Sequence, residues 1–378
     1  MAQKHFRTSE MHRYLKRIGE AAKFSIAYTQ FLDTKGEPTQ DLPPFAKKET
    51  LLSLYQQLLL TRLFDKKAVF LQRTGKLNTY ASILGQEAIS VGIGACMKKE
   101  DVFCPFYRDY GAQLMRGVKM SEILSFWKGN EWGNHFSECK TDFPICIPIA
   151  TQLLHATGVA TAFKLRKQAH VVVTTCGDGA SSEGDFYEAL NIAGVWQLPI
   201  VFVINNNQWA ISVPRKNQSH AKTLAQKAIA AGIHGEQVDG NDVIAVKFVV
   251  EKAIAKAREG NGASVIEALT YRLSDHTTAD DATRYRNADA LQKAWGEEPL
   301  LRLRTYLLKQ KYWSDEEEEQ LTIRCDASIA AAVDEYLSLP KPVFTDLFDY
   351  HYEKLPADLN EQRIEAEALF MLNEIHKE

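Results

Sequence analysis

The chain has 378 residues, of which 45% are hydrophobic and 25% are charged, as expected for a globular protein with a sizeable core. The net charge is −3 and no basic tract stands out, which argues against a nucleic-acid partner. No apolar run has the length of a membrane span, and the N-terminal sequence lacks the apolar core of a signal peptide. We therefore expect a cytoplasmic protein with no membrane partner.

The N-terminal half begins with a polar segment that leads into a helix. Residues 1–48 are predicted to form an N-terminal arm, which ends near the helix-breaking sequence DLPP at 41–44. Apolar residues at helical spacing predict an amphipathic helix over 49–72. Short β-branched runs then predict the strands of a sheet, at Val102, Val171, Val201 and Val265.

The C-terminal part has a helical pattern after residue 286. Residues 300–309 are predicted to form one helix, and Ser314 is predicted to cap another whose first turn is acidic. The sequence PKPVF at 340–344 predicts a break before a charged C-terminal helix. We therefore divide the chain into the arm, a main domain over 49–339 and a C-terminal extension over 340–378.

The segment from 176 to 212 contains the most informative pattern. The sequence GDG (Gly177, Asp178, Gly179) follows one apolar run at 170–175, and Asn207 follows a second run at 200–204. Residues 183–196 carry apolar residues at helical spacing, so the segment is predicted to form a strand, a helix and a strand. Parallel strands joined in this way end at the same edge of the sheet, so we expect Asp178 and Asn207 to lie close together.

The residue types at this edge suit a metal-bound phosphate group. A carboxylate and an amide oxygen are ligands for a hard cation, either Mg²⁺ or Ca²⁺, which keeps open positions for phosphate oxygens. The N–H groups of Gly179 and Ala180, near a helix start, can donate to the same oxygens. Each motif alone is also common as a simple turn. The pairing, with about 26 residues between Gly179 and Asn206, favours a binding site.

This spacing is that of the thiamine-diphosphate motif, and the chain resembles the alpha subunit of the decarboxylating component of 2-oxo acid dehydrogenase complexes. Bacterial pyruvate dehydrogenase members are the most similar. The resemblance runs from about residue 31 to YEKLP at 352–356, and includes ordered blocks at 177–190, 221–233, 237–241 and 271–286. It implies an α/β thiamine-diphosphate-binding fold, with a parallel sheet flanked by helices and with helical N- and C-terminal extensions.

The resemblance implies that thiamine diphosphate and Mg²⁺ are bound. Asp178 and Asn207 match side-chain ligands of the metal, and Trp209 matches a main-chain carbonyl ligand that is usually Tyr or Phe. Tyr107 and Arg108, in PFYRDYG, match a pair that reaches the diphosphate. A planar guanidinium forks onto phosphate oxygens, and a phenol adds a neutral donor. Without the resemblance, Arg108 would be interpreted as an exposed loop arginine.

The sequence IPIATQ at 147–152 matches the part of the family that contacts the aminopyrimidine ring. Ile147 and Ile149 correspond to main-chain contacts, which tolerate any side chain. Thr151 and Gln152 are also similar to a monovalent-cation loop of branched-chain members. The resemblance therefore implies a cofactor site built from several separate segments.

His276, in SDHTTADD at 274–281, matches the active-site histidine of the family, which assists chemistry at the cofactor and acyl transfer. A histidine in such a polar loop is otherwise usually solvated. Family members commonly carry a second histidine just before it, where this chain has Ser274 and Asp275. Thr277 stands at a position that is phosphorylated in animal relatives. The residues that match loop-ordering ion pairs of the family are Arg272, Asp280 and Arg284.

Together these features predict the alpha subunit of a pyruvate dehydrogenase (acetyl-transferring), which decarboxylates pyruvate and passes the acyl group to the lipoyl domain of an acyltransferase component. In the family, the glutamate that activates the cofactor belongs to a beta subunit, so an α₂β₂ assembly is implied. The alternatives are a branched-chain 2-oxo acid or acetoin dehydrogenase alpha subunit, or a non-catalytic scaffold that retains the fold. A nucleotide-binding protein is disfavoured, because neither GxGxxG nor GxxxxGKS follows a strand.

Overall fold

The computed structural model describes residues 20–340, 343–349 and 351–375, so the first part of the predicted arm and the centre of the PKPVF break lie outside the described residues. The main strands are β1 (Ala27–Thr29), β2 (Val102–Cys104), β3 (Val172–Gly177), β4 (Ile200–Asn206), β7 (His234–Asp239) and β8 (Ser264–Leu269). They form one parallel sheet in the order β1-β7-β8-β4-β3-β2. The short strands β5 (Trp209–Ala210) and β6 (Val213–Pro214) form a separate antiparallel hairpin.

Helices cover both faces of the sheet, as is usual for parallel sheets, and this confirms the predicted fold class. Alternate strand residues point to opposite faces, so that Val173 and Val172 belong to different hydrophobic cores. The first core includes residues of the helices Lys48–Arg73, Glu87–Gly94, Val243–Arg258 and Pro299–Lys309. The second core includes residues of the helices Thr151–Leu165 and Gly184–Val195.

A third cluster joins the sheet domain to the later helices. It contains side chains from Lys48–Arg73, Met120–Trp127 and the long helix Asp315–Ser338. The Ser314 hydroxyl accepts a hydrogen bond from the Glu317 N–H at 3.2 Å, so the predicted cap is confirmed. The remaining helices are Tyr110–Arg116, Arg215–Gln218, Lys227–Ala230, Ala288–Trp295, Asp346–Asp349 and Ala357–Ile375.

Two strands, β1 and β7, were not predicted from the sequence. β1 lies within the segment interpreted as the N-terminal arm, and it pairs with β7 at the edge of the sheet. The chain then enters the core, where the Asp242 carboxylate accepts hydrogen bonds from the N–H groups of Phe31 and Leu32, both at 2.7 Å. Part of the arm is therefore integral to the sheet domain. Within the described residues, no helix has both the length and the apolar character that crossing a bilayer requires.

Candidate active site

A cavity of about 340 Å³ opens where β3 and β4 end. The register of the two strands places Gly177 opposite Asn205, so the polar residues that follow each strand emerge at the same edge. Every residue predicted for the site lines this cavity: Tyr107, Arg108, Ile147, Ile149, Asp178, Gly179, Ala180, Asn207, Trp209 and His276. Segments far apart in sequence therefore meet around one space.

Asp178 is the most unusual polar group of the cavity. The residue is 1% exposed, and within the described structure neither carboxylate oxygen accepts a hydrogen bond from another residue. Burial raises the pKa of this carboxyl to about 6. A buried carboxylate without donors is costly unless a cation compensates its charge. The side chain therefore fits a metal ligand and has no structural role that its contacts explain.

Asn207 is held in a fixed orientation beside the cavity. Its Nδ2 donates to the Gln86 Oε1 at 2.9 Å, and its Oδ1 accepts from the Trp209 N–H at 3.1 Å. The amide oxygen keeps a second lone pair for a cation. With the Asp178 carboxylate and a main-chain carbonyl, this donor set is the all-oxygen type that Mg²⁺ prefers. Gln86 is fully buried, and its role was missed because nothing local in the sequence indicates a contact with a residue 121 positions away.

Gly179 and Ala180 begin the 3-10 turn Gly179–Ser182, which leads into the helix Gly184–Val195. N–H groups at such a start have no helical acceptor and can donate to an anion. A Cβ atom added to Gly179 would lie 3.0 Å from the Ala210 Cβ, so a glycine lets the β5–β6 hairpin approach this turn. Gln218 also lines the cavity with a buried Oε1 that has no partner in the described structure, and the sequence analysis did not identify it.

The same hairpin contains strained backbone. Gln208 and Ile211, which flank β5, have positive φ angles of 74° and 55° although neither is a glycine. Such conformations cost free energy and persist where the surrounding structure imposes them, often at functional sites. The strain fixes the direction of the Trp209–Ala210 backbone, which carries the predicted main-chain metal ligand.

Arg108 is buried, with 2% exposure, so its interpretation as an exposed loop arginine is wrong. Its Nη1 donates to the Ser82 carbonyl at 2.6 Å, and its Nη2 donates to the His276 carbonyl at 2.5 Å. The guanidinium also lies 5.2 Å from the centre of the Tyr107 ring, within cation–π range. One guanidinium thus joins the Tyr107–Arg108 segment to the histidine loop.

His276 is partly buried beside two guanidinium groups. Its Nδ1 lies 3.0 Å from the Arg108 Nη2 and 3.3 Å from the Arg272 Nη1. Burial lowers the pKa of His276 to about 3, and the positive charges of Arg108 and Arg272 act in the same direction. The ring is therefore neutral at physiological pH.

The loop around His276 is ordered by a chain of hydrogen bonds. Asp280 accepts from the His276 N–H at 2.8 Å and from the Tyr285 hydroxyl, which in turn accepts from the Arg272 Nη2 at 2.7 Å. Arg272 therefore reaches Asp280 through Tyr285, and no direct ion pair joins Arg272 and Asp280 in the described structure. Arg284 is exposed and pairs with Asp281 at 3.3 Å, outside this chain of contacts.

Ile147 and Ile149 form an apolar rim of the cavity, and each is 47% exposed. They precede the helix Thr151–Leu165, whose residue Gln152 donates through Nε2 to the Thr175 carbonyl at 2.7 Å. The Gln152 Oε1 is buried and has no partner in the described structure. The main-chain contacts of the two isoleucines with a cofactor, and a monovalent cation near Thr151, stay predictions.

A parallel α/β sheet with a metal-compatible, phosphate-compatible cavity at its carboxyl edge defines a cofactor-dependent α/β enzyme. Residues 55–343 match the family model of the dehydrogenase E1 component. The chain is 41% identical over 345 residues to the 3-methyl-2-oxobutanoate dehydrogenase subunit alpha of Mycobacterium tuberculosis, covering 90% of this chain and 93% of the relative. It is 40% identical over 343 residues to the pyruvate dehydrogenase E1 component subunit alpha of Staphylococcus aureus, covering 90% and 92%. The chain belongs to the dehydrogenase E1 component family, and this confirms the resemblance. The enzymes of this family depend on thiamine diphosphate.

Proposed function

We propose that this chain is the alpha subunit of a pyruvate dehydrogenase, which decarboxylates pyruvate with thiamine diphosphate and Mg²⁺ and transfers the acetyl group to a lipoyl domain. The observation that carries the proposal is the buried Asp178 carboxylate at the edge of the cavity, which accepts no hydrogen bond from another residue in the described structure. A structural carboxylate would be paired. An unpaired one, beside Asn207 and the N–H groups of Gly179 and Ala180, suits a metal and a diphosphate.

The residues divide into three groups around the cavity. Asp178, Asn207 and the Trp209 carbonyl would hold Mg²⁺. The diphosphate would be bound by Tyr107, Arg108, Gly179 and Ala180, and the aminopyrimidine ring by the main chain of Ile147 and Ile149. When bound, thiamine diphosphate supplies the electron sink for loss of carbon dioxide from a 2-oxo acid.

His276 contributes from the loop that follows β8, beside Tyr107 and Arg108. Its ring lies 6.2 Å from the Tyr107 ring, and its loop is anchored to residue Tyr80, whose carbonyl accepts from the Thr278 N–H at 2.9 Å. A neutral imidazole held in this way can hydrogen-bond or exchange a proton with an oxygen of the substrate. We propose that His276 is the catalytic residue of this chain.

We also propose that the cofactor lies at an interface with a separate beta subunit in an α₂β₂ assembly. Support comes from exposed apolar side chains on the two helices that cover the second core: Leu165 (72%) and Val195 (70%), with Tyr187, Ile192 and Trp196. Large apolar side chains exposed on two neighbouring helices suit a protein interface. Ile147 and Ile149, at the rim of the cavity, are exposed apolar residues as well.

The second candidate substrate is a branched-chain 2-oxo acid, because a relative of 41% identity is named for 3-methyl-2-oxobutanoate. The deciding experiment reconstitutes the chain with the beta subunit and compares decarboxylation of pyruvate and 3-methyl-2-oxobutanoate. We expect a higher kcat/KM for pyruvate, and no turnover by the chain alone. A preference for the branched acid would establish the second candidate. Robust decarboxylation without a beta subunit would overturn the proposed division between chains.

A further inference from the structure

The hydrogen bonds at His276 determine which ring nitrogen carries the proton. The Nδ1 atom faces the Arg108 Nη2 at 3.0 Å and the Arg272 Nη1 at 3.3 Å. A guanidinium has only N–H donors and no acceptor. The Nδ1 atom must therefore accept, which means that it carries no proton. A neutral imidazole with a bare Nδ1 carries its proton on Nε2.

The Arg272 guanidinium is held by groups other than the histidine, and the Arg108 guanidinium is held in part by the Ser82 carbonyl. Arg272 is fully buried, and its Nη2 donates to the Ile211 carbonyl at 2.8 Å as well as to the Tyr285 hydroxyl. The Arg272 main-chain N–H donates to the Asn207 carbonyl at 3.2 Å, while the Arg108 guanidinium is anchored on the carbonyls of Ser82 and His276. Turning the ring over would place a carbon atom against two donors. The arginines therefore select one ring orientation and one tautomer.

We propose that Arg272 is a positioning residue that acts with Arg108 to fix His276 as the neutral Nε2–H tautomer. His276 then presents a hydrogen-bond donor to the cavity, and no proton acceptor. Resting on the proposed function, this assigns His276 the role of donating to an oxygen of the 2-oxo acid on which negative charge develops. Preorganised donors of this kind stabilise a transition state without changing their own protonation.

The charged groups around the ring support a neutral state over the working pH range. Arg108 approaches from a distant segment and Arg272 from four residues before the histidine, and both disfavour a second proton on the ring. The Asp280 carboxylate, on the histidine's own loop, opposes them but binds the main-chain N–H and the Tyr285 hydroxyl. Since burial adds to the effect of the two arginines, protonation requires a pH far below 5.

The test is nitrogen NMR of the full chain labelled with ¹⁵N-histidine, with the His276 signals assigned by their loss in His276→Gln. We expect a protonated Nε2 and a bare Nδ1, with no titration between pH 5.5 and 8. A protonated Nδ1, or a titration within that range, would overturn the proposal. This measurement uses no cofactor and no activity, so it stands even if the proposed substrate is wrong.

The role of Arg272 is tested by Arg272→Gln, with Arg284→Gln as the matched control in the same loop. In Arg272→Gln we expect a new population of the His276 ring with its proton on Nδ1. In the reconstituted enzyme we expect kcat to be roughly 10-fold lower with little change in KM. The loss of kcat is limited because Arg108 still holds the ring. Arg284→Gln should change neither. An unchanged tautomer in Arg272→Gln would show that Arg272 does not position the ring. If that variant does not fold, Arg272→Met, which keeps a long side chain but donates no hydrogen bond, replaces it and should show the same change in tautomer.

Discussion

The two sides of the cavity differ in whether the protein supplies partners for a buried ionisable group. Burial disfavours the charged form on both sides, since it raises the pKa of Asp178 to about 6 and lowers that of His276 to about 3. Asp178 has no partner in the described structure, whereas His276 is surrounded by Arg108, Arg272 and Asp280. The cavity edge that carries Asp178 thus lacks a component that a ligand can supply, and the histidine loop is complete without one. A site can therefore combine an open binding position with a preorganised catalytic group.

The largest effect is expected at the histidine loop. Changing His276 to Ala removes the group placed next to the substrate, so kcat of the reconstituted enzyme should fall roughly 10²- to 10⁴-fold. The affinity for thiamine diphosphate should stay near normal, because the proposed metal ligands are untouched and Arg108 keeps its contact with the Ser82 carbonyl. His351→Ala, at an exposed histidine, is the control and should have no effect. Unchanged acyl transfer to lipoamide in His276→Ala would return His276 to the solvated-loop interpretation.

At the cavity edge that carries Asp178, we expect a substitution to stabilise the protein, because it removes a buried charge. The folded-state pKa of Asp178 lies above its ordinary value of 3.8, so the folded state prefers the protonated form. That contribution is present below about pH 4 and is lost as the pH rises through 6. In metal-free buffer at pH 7.5, Asp178→Asn should therefore unfold with a free energy roughly 2–3 kcal/mol larger than the wild type.

This difference should shrink at pH 5, where the wild-type carboxyl is mostly protonated. Urea unfolding followed by circular dichroism, with a chelator present, measures both values. Equal differences at pH 5 and pH 7.5 would show that the ionisation of Asp178 is not responsible.

A smaller effect is expected from the residue that orients Asn207. Gln86→Ala removes the acceptor of the Asn207 Nδ2 group, which leaves the amide held only through its Oδ1. Loss of such an orienting contact typically weakens metal binding, here roughly 10-fold for Mg²⁺ in the presence of cofactor. Gln226→Ala, on a glutamine outside the cavity, should leave Mg²⁺ affinity unchanged. An equal effect of both variants would contradict an orienting role of Gln86.

The smallest effect concerns the Thr175–Asp109 hydrogen bond, which joins β3 to the segment that contains Arg108. The Thr175 hydroxyl donates to the buried Asp109 carboxylate, and burial raises the pKa of Asp109 to about 7. Thr175→Val removes this donor at constant shape and should cost about 1 kcal/mol of stability at pH 7.5. Urea unfolding measures it, with Thr322→Val as the control in a helix. If Thr175→Val lowers the free energy of unfolding no more than Thr322→Val does, the Thr175–Asp109 hydrogen bond does not contribute to stability.

The sequence predicted the parts of the site that depend on local pattern. β3 and β4 are continuous apolar runs, so their ends and the proximity of Asp178 and Asn207 could be inferred. β1 has only three residues, and its pairing with β7 joins segments about 200 positions apart, which no local pattern indicates. Edge strands of this length carry too few side chains to show a period.

Partners that lie far apart in sequence were equally hidden. Arg108 appears in a polar loop sequence, and its burial depends on carbonyl groups of Ser82 and His276. The contact between Gln86 and Asn207, and the unpaired oxygen of Gln218, likewise arise only when the chain is folded. The residue types were readable from sequence, but their hydrogen-bond partners were not.

The most direct test of the central claim is calorimetric titration of thiamine diphosphate into the reconstituted enzyme, with and without Mg²⁺, for the wild type and Asp178→Ala. Asp334→Ala, which removes an exposed carboxylate from the helix Asp315–Ser338, is the control. We predict Mg²⁺-dependent binding by the wild type and the control, and no detectable binding by Asp178→Ala with the fold intact. Metal-dependent binding of similar strength by Asp178→Ala would contradict the assignment of this cavity as the cofactor site.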